Sequence, residues 1–139
     1  MKNTKIDKIA NNLVKAFVNN KIIAPIPLKF TKNMREAESL RRLCESKIKQ
    51  PIVGFKAGGT SIKMLKKWGI KKPFYAAVYK KNLLKNGKSV KINPYTLGAE
   101  LEVGYYIKKS FFNSKSSITT KNIHKYISHK LPSIEIAGY

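Results

Sequence analysis

The stretch GAELEVGYYI, residues 98–107, alternates apolar and polar side chains and therefore indicates a half-buried β-strand. Glu100 and Glu102 fall on one face of this strand, roughly 6.5–7 Å apart, so their carboxylates can converge on one cation. The opposite, apolar face has the composition of a surface that packs into a core. This one stretch thus predicts a sheet and a candidate metal site.

A third acid, Glu135, lies between Ile134 and Ile136 in a second apolar run. Burying like charges is costly unless each charge is compensated, and a single divalent cation would compensate all three. Ligands that are all oxygen favour a hard ion such as Mg²⁺ or Mn²⁺. The glutamate pair alone leaves an alternative open, in which each glutamate pairs with a lysine on a solvated strand face.

Length and composition restrict the class of protein. A chain of 139 residues corresponds to one domain, and its 42% hydrophobic and 10% aromatic content argues against disorder. There is no apolar run of about 18 residues and no apolar signal region near the first residue, so we expect no membrane partner and a cytoplasmic location. Cys44 is the only cysteine, which excludes an internal disulfide and a cluster of thiolate ligands.

The formal net charge of +22 raises the question of nucleic-acid binding. Arginine, which often contacts phosphate and guanine, occurs only at Arg35, Arg41 and Arg42, and the lysines are spread over the whole chain. We therefore expect no specific nucleic-acid partner. The positive field would attract small anionic substrates and would bind polyanions weakly.

The first 50 residues have helical patterns. Residues 6–17 predict one helix, and Asn33 followed by Glu36 is a capping box that predicts a second helix with a solvated basic face. The prolines in residues 22–28 predict an extended connection between the two helices. We expect residues 1–50 to form a helical region.

Residues 51–139 have mostly strand patterns, which together with the preceding helices predict an α+β fold. We expect strands at residues 52–56, 74–79, 98–107 and 133–137, a short extended segment at 89–92, a helix from Ser61 to Trp68, and a helix that begins at Thr119 or Thr120 and is stopped by Pro132.

A glycine turn, residues 57–61, follows the first of these strands. Its backbone N–H groups could cradle a carboxylate or a phosphate, and Lys56 could reach the same ligand. The alternative is a tight turn beside a surface lysine. Substrate contacts are expected from Gly58, Thr60, Ser61 and Tyr106, the last because it falls on the glutamate face of its strand. His124 and His129, five residues apart on the expected helix, do not share a face and are interpreted as surface residues.

Four ordered segments resemble the 2-keto-4-pentenoate hydratase branch of the fumarylacetoacetate hydrolase superfamily. They are PIVGFKAGGTS (51–61), LKKWGIKKP (65–73), GAELEV (98–103) and LPSIEI (131–136). The resemblance implies a helical part followed by a partial mixed β-sheet, a fragment of that family's β-roll, in which residues 51–139 are the first part of the catalytic domain.

The resemblance also implies site roles. It assigns Glu100, Glu102 and Glu135 as ligands of Mg²⁺ or Mn²⁺, and it places Lys56 beside the substrate as the catalytic residue. The implied enzyme is a hydro-lyase that hydrates small anionic 2-hydroxypenta-2,4-dienoate-like substrates to 4-hydroxy-2-oxo acids. A 2-oxo-enedioate decarboxylase and a C–C hydrolase of the same superfamily are alternatives, as is a non-enzymatic basic protein that binds polyanions.

Members of that family are longer, and the similarity here ends directly after the third acid. We therefore expect a truncated member that binds metal with weak or no turnover. Its unpaired sheet edges would favour association, and relatives in the superfamily are commonly oligomers, so a homo-oligomer is one expected state.

Overall fold

Two N-terminal helices precede the first strand in the computed structural model, which describes residues 4–138 and confirms the α+β class. The helices are α1 (Thr4–Val18), α2 (Met34–Lys47), α3 (Ile62–Trp68) and α4 (Lys109–Phe112), and the strands are β1 (Ile52–Gly58), β2 (Phe74–Tyr79), β3 (Thr96–Ile107) and β4 (Ile127–Gly138). Within the described residues the strands form two separate antiparallel pairs, β1–β2 and β3–β4, rather than one mixed sheet.

The chain divides after Ser89 into two compact units. The first unit contains α1, α2, α3 and the β1–β2 sheet, and the second contains α4 and the β3–β4 sheet. The boundary expected at residue 50 stays a prediction. No helix in the described part of the chain combines the length and the apolar character that crossing a membrane requires.

Helices α1 and α2 pack together through small side chains in the first unit. Ala10 is fully buried, and the thiol of Cys44 lies 3.9 Å from the carbonyl oxygen of Ala10, so the two helix backbones approach closely. An ion pair of 2.9 Å between Lys47 and Asp7 joins the same helices at their surface. Small residues at the contact therefore set the helix spacing.

The start of α2 follows the expected capping box. The side chain of Asn33 accepts a hydrogen bond of 3.0 Å from the backbone N–H of Glu36, and the Glu36 carboxylate accepts one of 3.1 Å from the backbone N–H of Lys32. The first bond satisfies one of the unpaired N–H donors of the helix, and the second joins the Glu36 side chain to the residue before the cap.

The basic face of α2 is only partly solvated, which corrects the expectation for Arg41. Its guanidinium lies 4.3 Å from the ring centroid of Tyr75 in β2 and forms an ion pair with Glu45. The Glu45 carboxylate also accepts a hydrogen bond of 3.3 Å from the backbone N–H of Ala77. Arg41 and Glu45 therefore attach α2 to the β1–β2 sheet.

The glycine turn joins β1 to α3. Strand β1 extends to Gly58, two residues beyond the expected end, and the ring of Phe74 lies so close that a Cβ on Gly58 would be 2.5 Å from it. Gly59 is buried and has a φ of 65°, a conformation that favours glycine. Ser61 then caps α3 by accepting a hydrogen bond of 3.2 Å from the N–H of Met64, as predicted.

In the second unit, the prediction of a helix that begins at Thr119 or Thr120 is wrong. Ile123–Tyr126 forms only a single 3₁₀ turn, and β4 begins at Ile127 and includes Pro132. Pro132 lies opposite Val103. A proline is tolerated there because each strand of a two-stranded sheet has one unpaired edge, where the missing N–H costs no ladder hydrogen bond. Residues 89–92, expected to be extended, form no strand.

We expect Gly59→Ala to destabilise the first unit by about 1–2 kcal/mol, because alanine is strained at positive φ. The added Cβ would also lie 3.3 Å from Trp68 and 3.4 Å from both Ile70 and Leu65. Urea denaturation followed by the fluorescence of Trp68 measures the change. Gly54→Ala is the control, since a Cβ there meets nothing within 4 Å; an equal loss in both variants would contradict the assigned strain.

Candidate functional site

The register of β3 and β4 brings the three glutamates to one face of the sheet. Glu100 lies directly opposite Glu135, and Glu102 lies opposite Ser133. Directly opposite residues point to the same face with Cβ atoms about 5 Å apart, and diagonal neighbours such as Glu102 and Glu135 are about 7–8 Å apart. The backbone thus places all three glutamates predicted from the sequence on one face of the sheet.

Small residues surround the carboxylates on this face. The neighbouring cross-strand pair on one side is Gly98 and Ala137, and Ser133 and Gly104 lie on the other side. Leu131, the cross-strand partner of Gly104, is the large residue on this side. The all-carboxylate donor set suits a hard divalent cation.

The three side chains do not converge in this structure. Within residues 4–138, no group of three or more His, Cys, Asp or Glu side chains is arranged to hold a metal ion. Glu100 and Glu102 are exposed and Glu135 is half-buried. Like charges at opposite positions repel one another, which favours rotamers that point apart.

Lysine pairing was the alternative explanation for these acids. Among the residues that the structure describes, Glu100 and Glu102 form neither an ion pair nor a side-chain hydrogen bond. The ion pairs that Glu38 and Glu45 form lie in the first unit, where the hydrogen bond from Arg42 also lowers the pKa of Glu38. The two strand glutamates thus differ from Glu38 and Glu45 of α2, which have cationic partners.

Tyr106 lies on the glutamate face, as predicted, but not next to the carboxylates. Four residues separate it from Glu102, which corresponds to about 13 Å along an extended strand. Its ring stacks on that of His129, with centroids 4.4 Å apart and planes at 24°. Sequence reasoning assigned His129 to a helix and so missed this pair. The alternation of residues 129, 131, 133 and 135 would have placed His129 on the glutamate face.

The remaining candidates lie in the first unit, along one strand–turn–helix segment. Lys56 is exposed in β1, opposite Ala76. Gly58 is covered by the ring of Phe74, and Thr60 is exposed. The Ser61 hydroxyl oxygen already accepts the capping hydrogen bond of α3. This segment positions a lysine next to a glycine turn, and the assignment of these residues to substrate stays a prediction.

The apolar face of the β3–β4 sheet was expected to pack into a core. In the described residues it is exposed instead, with Leu101 89% exposed and its cross-strand partner Ile134 66% exposed. A groove of about 300 Å³ lies at one end of this face and is lined by Leu97, Ala99, Ile136 and others. This groove therefore lies on the side opposite the glutamates.

A second groove, of about 320 Å³, lies in the first unit between α1, α2 and β2. It is lined mainly by apolar side chains together with Cys44 and Tyr79. Burial raises the pKa of both the Cys44 thiol and the Tyr79 hydroxyl, so both groups remain neutral at physiological pH. A neutral, half-buried thiol is a poor nucleophile. The charged residues that line this groove, Arg41 and Glu45, form an ion pair with each other.

Comparisons with protein-family models, with curated proteins and with solved structures found no match to this chain. The resemblance described above therefore remains an expectation drawn from residues of this sequence.

We expect Glu100→Lys to stabilise β3 and β4 in the absence of divalent cations by about 0.2–1 kcal/mol, because it replaces a like-charge pair with an opposite-charge pair. Native-state hydrogen exchange of the amides in these strands measures the effect. The control is Glu102→Lys, which changes the net charge equally at a position opposite Ser133. An equal or larger gain in this control would contradict the Glu100–Glu135 pairing.

Proposed function

We propose that this chain is a 2-oxo-acid hydratase-type protein whose Glu100, Glu102 and Glu135 hold Mg²⁺ or Mn²⁺. The observation that supports the proposal most is the β3–β4 register, which lines up these three acids on one sheet face although they come from separate parts of the sequence. Ordered resemblance to the hydratase family along the chain supports the same assignment.

The chemistry follows from the donor set. A bound divalent cation supplies a Lewis acid that polarises a carbonyl group and stabilises negative charge on its oxygen. The carboxylate and keto oxygens of a 2-oxo acid are hard donors that suit such a site. The net charge of +22 attracts an anionic substrate.

Lys56 has the complementary role in this proposal. Its ammonium group would stabilise developing negative charge on the substrate or relay a proton.

Decarboxylation of a 2-oxo-enedioate and hydrolysis of a C–C bond use similar donors, so both remain alternatives within the same proposal. Product analysis with each substrate class separates them. The proposal also includes a cytoplasmic location and a homo-oligomeric state.

Turnover by this chain is expected to be weak. Glu100 and Glu102 are exposed, and Glu135 is only half-buried. Catalytic electrostatics are strongest where water is excluded from the reacting groups. We therefore expect metal binding to be a more reliable readout of the site than the rate of hydration.

We expect the double variant Glu100→Gln and Glu102→Gln to lose Mn²⁺ binding, with at least a tenfold rise in Kd, because a neutral amide is a much weaker ligand than a carboxylate. Isothermal titration calorimetry with MnCl₂ measures the change. Glu36→Gln is the matched control: it also replaces a glutamate but retains a residue suitable for the capping box. Unchanged Mn²⁺ affinity in the double variant would contradict the metal site.

A second candidate function is polyanion binding by a non-enzymatic basic protein. It is favoured by the absence of any Asp or Glu between Glu45 and Glu100, a region that contains many lysines. Three of these, Lys63, Lys66 and Lys67, are exposed on the short helix α3. Lysines without neighbouring acids contribute an uncompensated positive potential.

For this second function we expect binding of fluorescent single-stranded DNA that weakens steeply as salt rises. Replacing Lys63, Lys66 and Lys67 with Gln should reduce the slope of log Kd against log salt by about 2, since each phosphate contact contributes about 0.7. The control replaces Lys115, Lys121 and Lys125, which are exposed in the second unit. Equal losses in both variants would contradict a site in the acid-free region.

A further inference from the structure

Two pairs of lysines alternate with two aromatic residues in the stretch KKWGIKKPF, residues 66–74 of the first unit. The six residues are Lys66, Lys67, Trp68, Lys71, Lys72 and Phe74. All of them are exposed, and the aromatic side chains remain 46% exposed at Trp68 and 42% exposed at Phe74. Large aromatic surface and positive charge therefore occur together on the outside of this unit.

The end of helix α3 brings the two rings together. Gly69 has a φ of 64°, a conformation that favours glycine, and the backbone N–H of Ile70 donates a hydrogen bond of 3.0 Å to the carbonyl oxygen of Leu65. The chain leaves the helix through this turn, and β2 then begins at Phe74. The rings of Trp68 and Phe74 lie with their centroids 6.0 Å apart and their planes at 42°.

Both rings also lie against the glycine turn. A Cβ on Gly58 would be 2.5 Å from the Phe74 ring, and a Cβ on Gly59 would be 3.3 Å from the Trp68 ring. Because glycine has no side chain, each ring lies close to the backbone and is supported by it. The turn thus holds the two rings in place, and the surface that they leave exposed is accessible to a ligand.

The lysines beside the rings are mostly without acidic partners. Three of them belong to no ion pair within residues 4–138: Lys66, Lys67 and Lys71. The fourth is partly compensated, because the pKa of Glu38 is lowered mainly by the hydrogen bond from Arg42 and to a smaller extent by Lys72. The other three give an uncompensated positive potential within a few residues of the two rings.

We propose that the rings of Trp68 and Phe74 stack on bases of a single-stranded nucleic acid. The phosphates of the same strand contact the lysines beside the rings. This inference rests on the second candidate function, polyanion binding, and specifies its partner: a strand with accessible bases rather than any polyanion. Binding has no sequence preference, because every base has a π face on which an aromatic ring can stack.

The geometry of the two rings favours a single strand over a duplex. Neighbouring bases in a duplex are parallel and about 3.4 Å apart, and each covers the face of the next. The two rings are 6.0 Å apart and inclined at 42°, so one base can lie on each ring only if the two bases are unstacked from each other. Bases of a single strand can be splayed apart in this way and stacked on aromatic side chains.

The test measures the affinity of the full chain for fluorescein-labelled strands by fluorescence anisotropy at one salt concentration. The probes are oligo(dT), oligo(rU) and an abasic strand, each about twelve nucleotides long, which is within the usual site size of such proteins. We expect oligo(dT) to bind about five to thirty times more tightly than the abasic strand, because stacking adds to the same phosphate contacts. A gain for oligo(dT), oligo(rU) or both supports the inference and identifies DNA or RNA as the partner.

Trp68 is the only tryptophan of the chain, so its fluorescence reports on the contact without any substitution. We expect quenching when oligo(dT) or oligo(rU) binds and much less quenching when the abasic strand or a duplex binds. Only an accessible base can stack on the indole ring.

Substitutions at Trp68 test the same contact. Trp68→Leu should reduce the gain of oligo(dT) over the abasic strand at least threefold and leave the affinity for the abasic strand unchanged. Trp68→Tyr retains an aromatic face and should retain most of the gain. Phe112→Leu is the matched control, since Phe112 is 74% exposed but lies in the second unit.

Equal affinity for the base-containing and abasic strands, unchanged Trp68 fluorescence, or equal losses in Trp68→Leu and Phe112→Leu would overturn the inference while polyanion binding stands. Failure of all the strands and of heparin to bind would instead overturn the second candidate function and this inference with it.

Discussion

Glu100 lies opposite Glu135 only because β3 and β4 keep one antiparallel register from Gly98 to Tyr106. A slip of one residue would move Glu135 to the opposite face, among apolar side chains, and would separate it from Glu100 and Glu102. The stacking of Tyr106 on His129 depends on the same register. The shared face of the three glutamates and the Tyr106–His129 stack are therefore consequences of one strand pairing.

The two faces of the β3–β4 sheet pose opposite physical problems. One face carries three like charges that repel, and a hard cation would relieve that repulsion. The other face exposes large apolar residues such as Leu101 and Ile134, and an isolated two-stranded sheet is only marginally stable in water. Cation binding on the first face and association through the second would each stabilise the same pairing. This shared dependence links the metal site to the oligomeric state in the proposal.

Local signals in the sequence predicted the elements that local interactions determine. Two helices were predicted correctly from their capping residues, Asn33 and Ser61, and β3 was predicted correctly from the alternation around Glu100. Each of these signals depends only on residues that are close in the sequence. The partner of β3 could not be predicted in the same way. The residues near Ile123 have helical spacing, and the strand that follows them is evident only from its pairing with β3. The packing of Arg41 on Tyr75 could not be predicted either, because these residues are distant in the sequence.

The most direct test of the central claim follows paramagnetic broadening in a ¹⁵N–¹H correlation spectrum as MnCl₂ is added in substoichiometric amounts. The account predicts that amide signals of residues 99–103 and 134–136 broaden first and together, while signals of α1 and α2 stay sharp. Broadening of residues 99–103 without residues 134–136, or first broadening at Asp7, Glu38 and Glu45 in the first unit, would contradict a shared three-glutamate site.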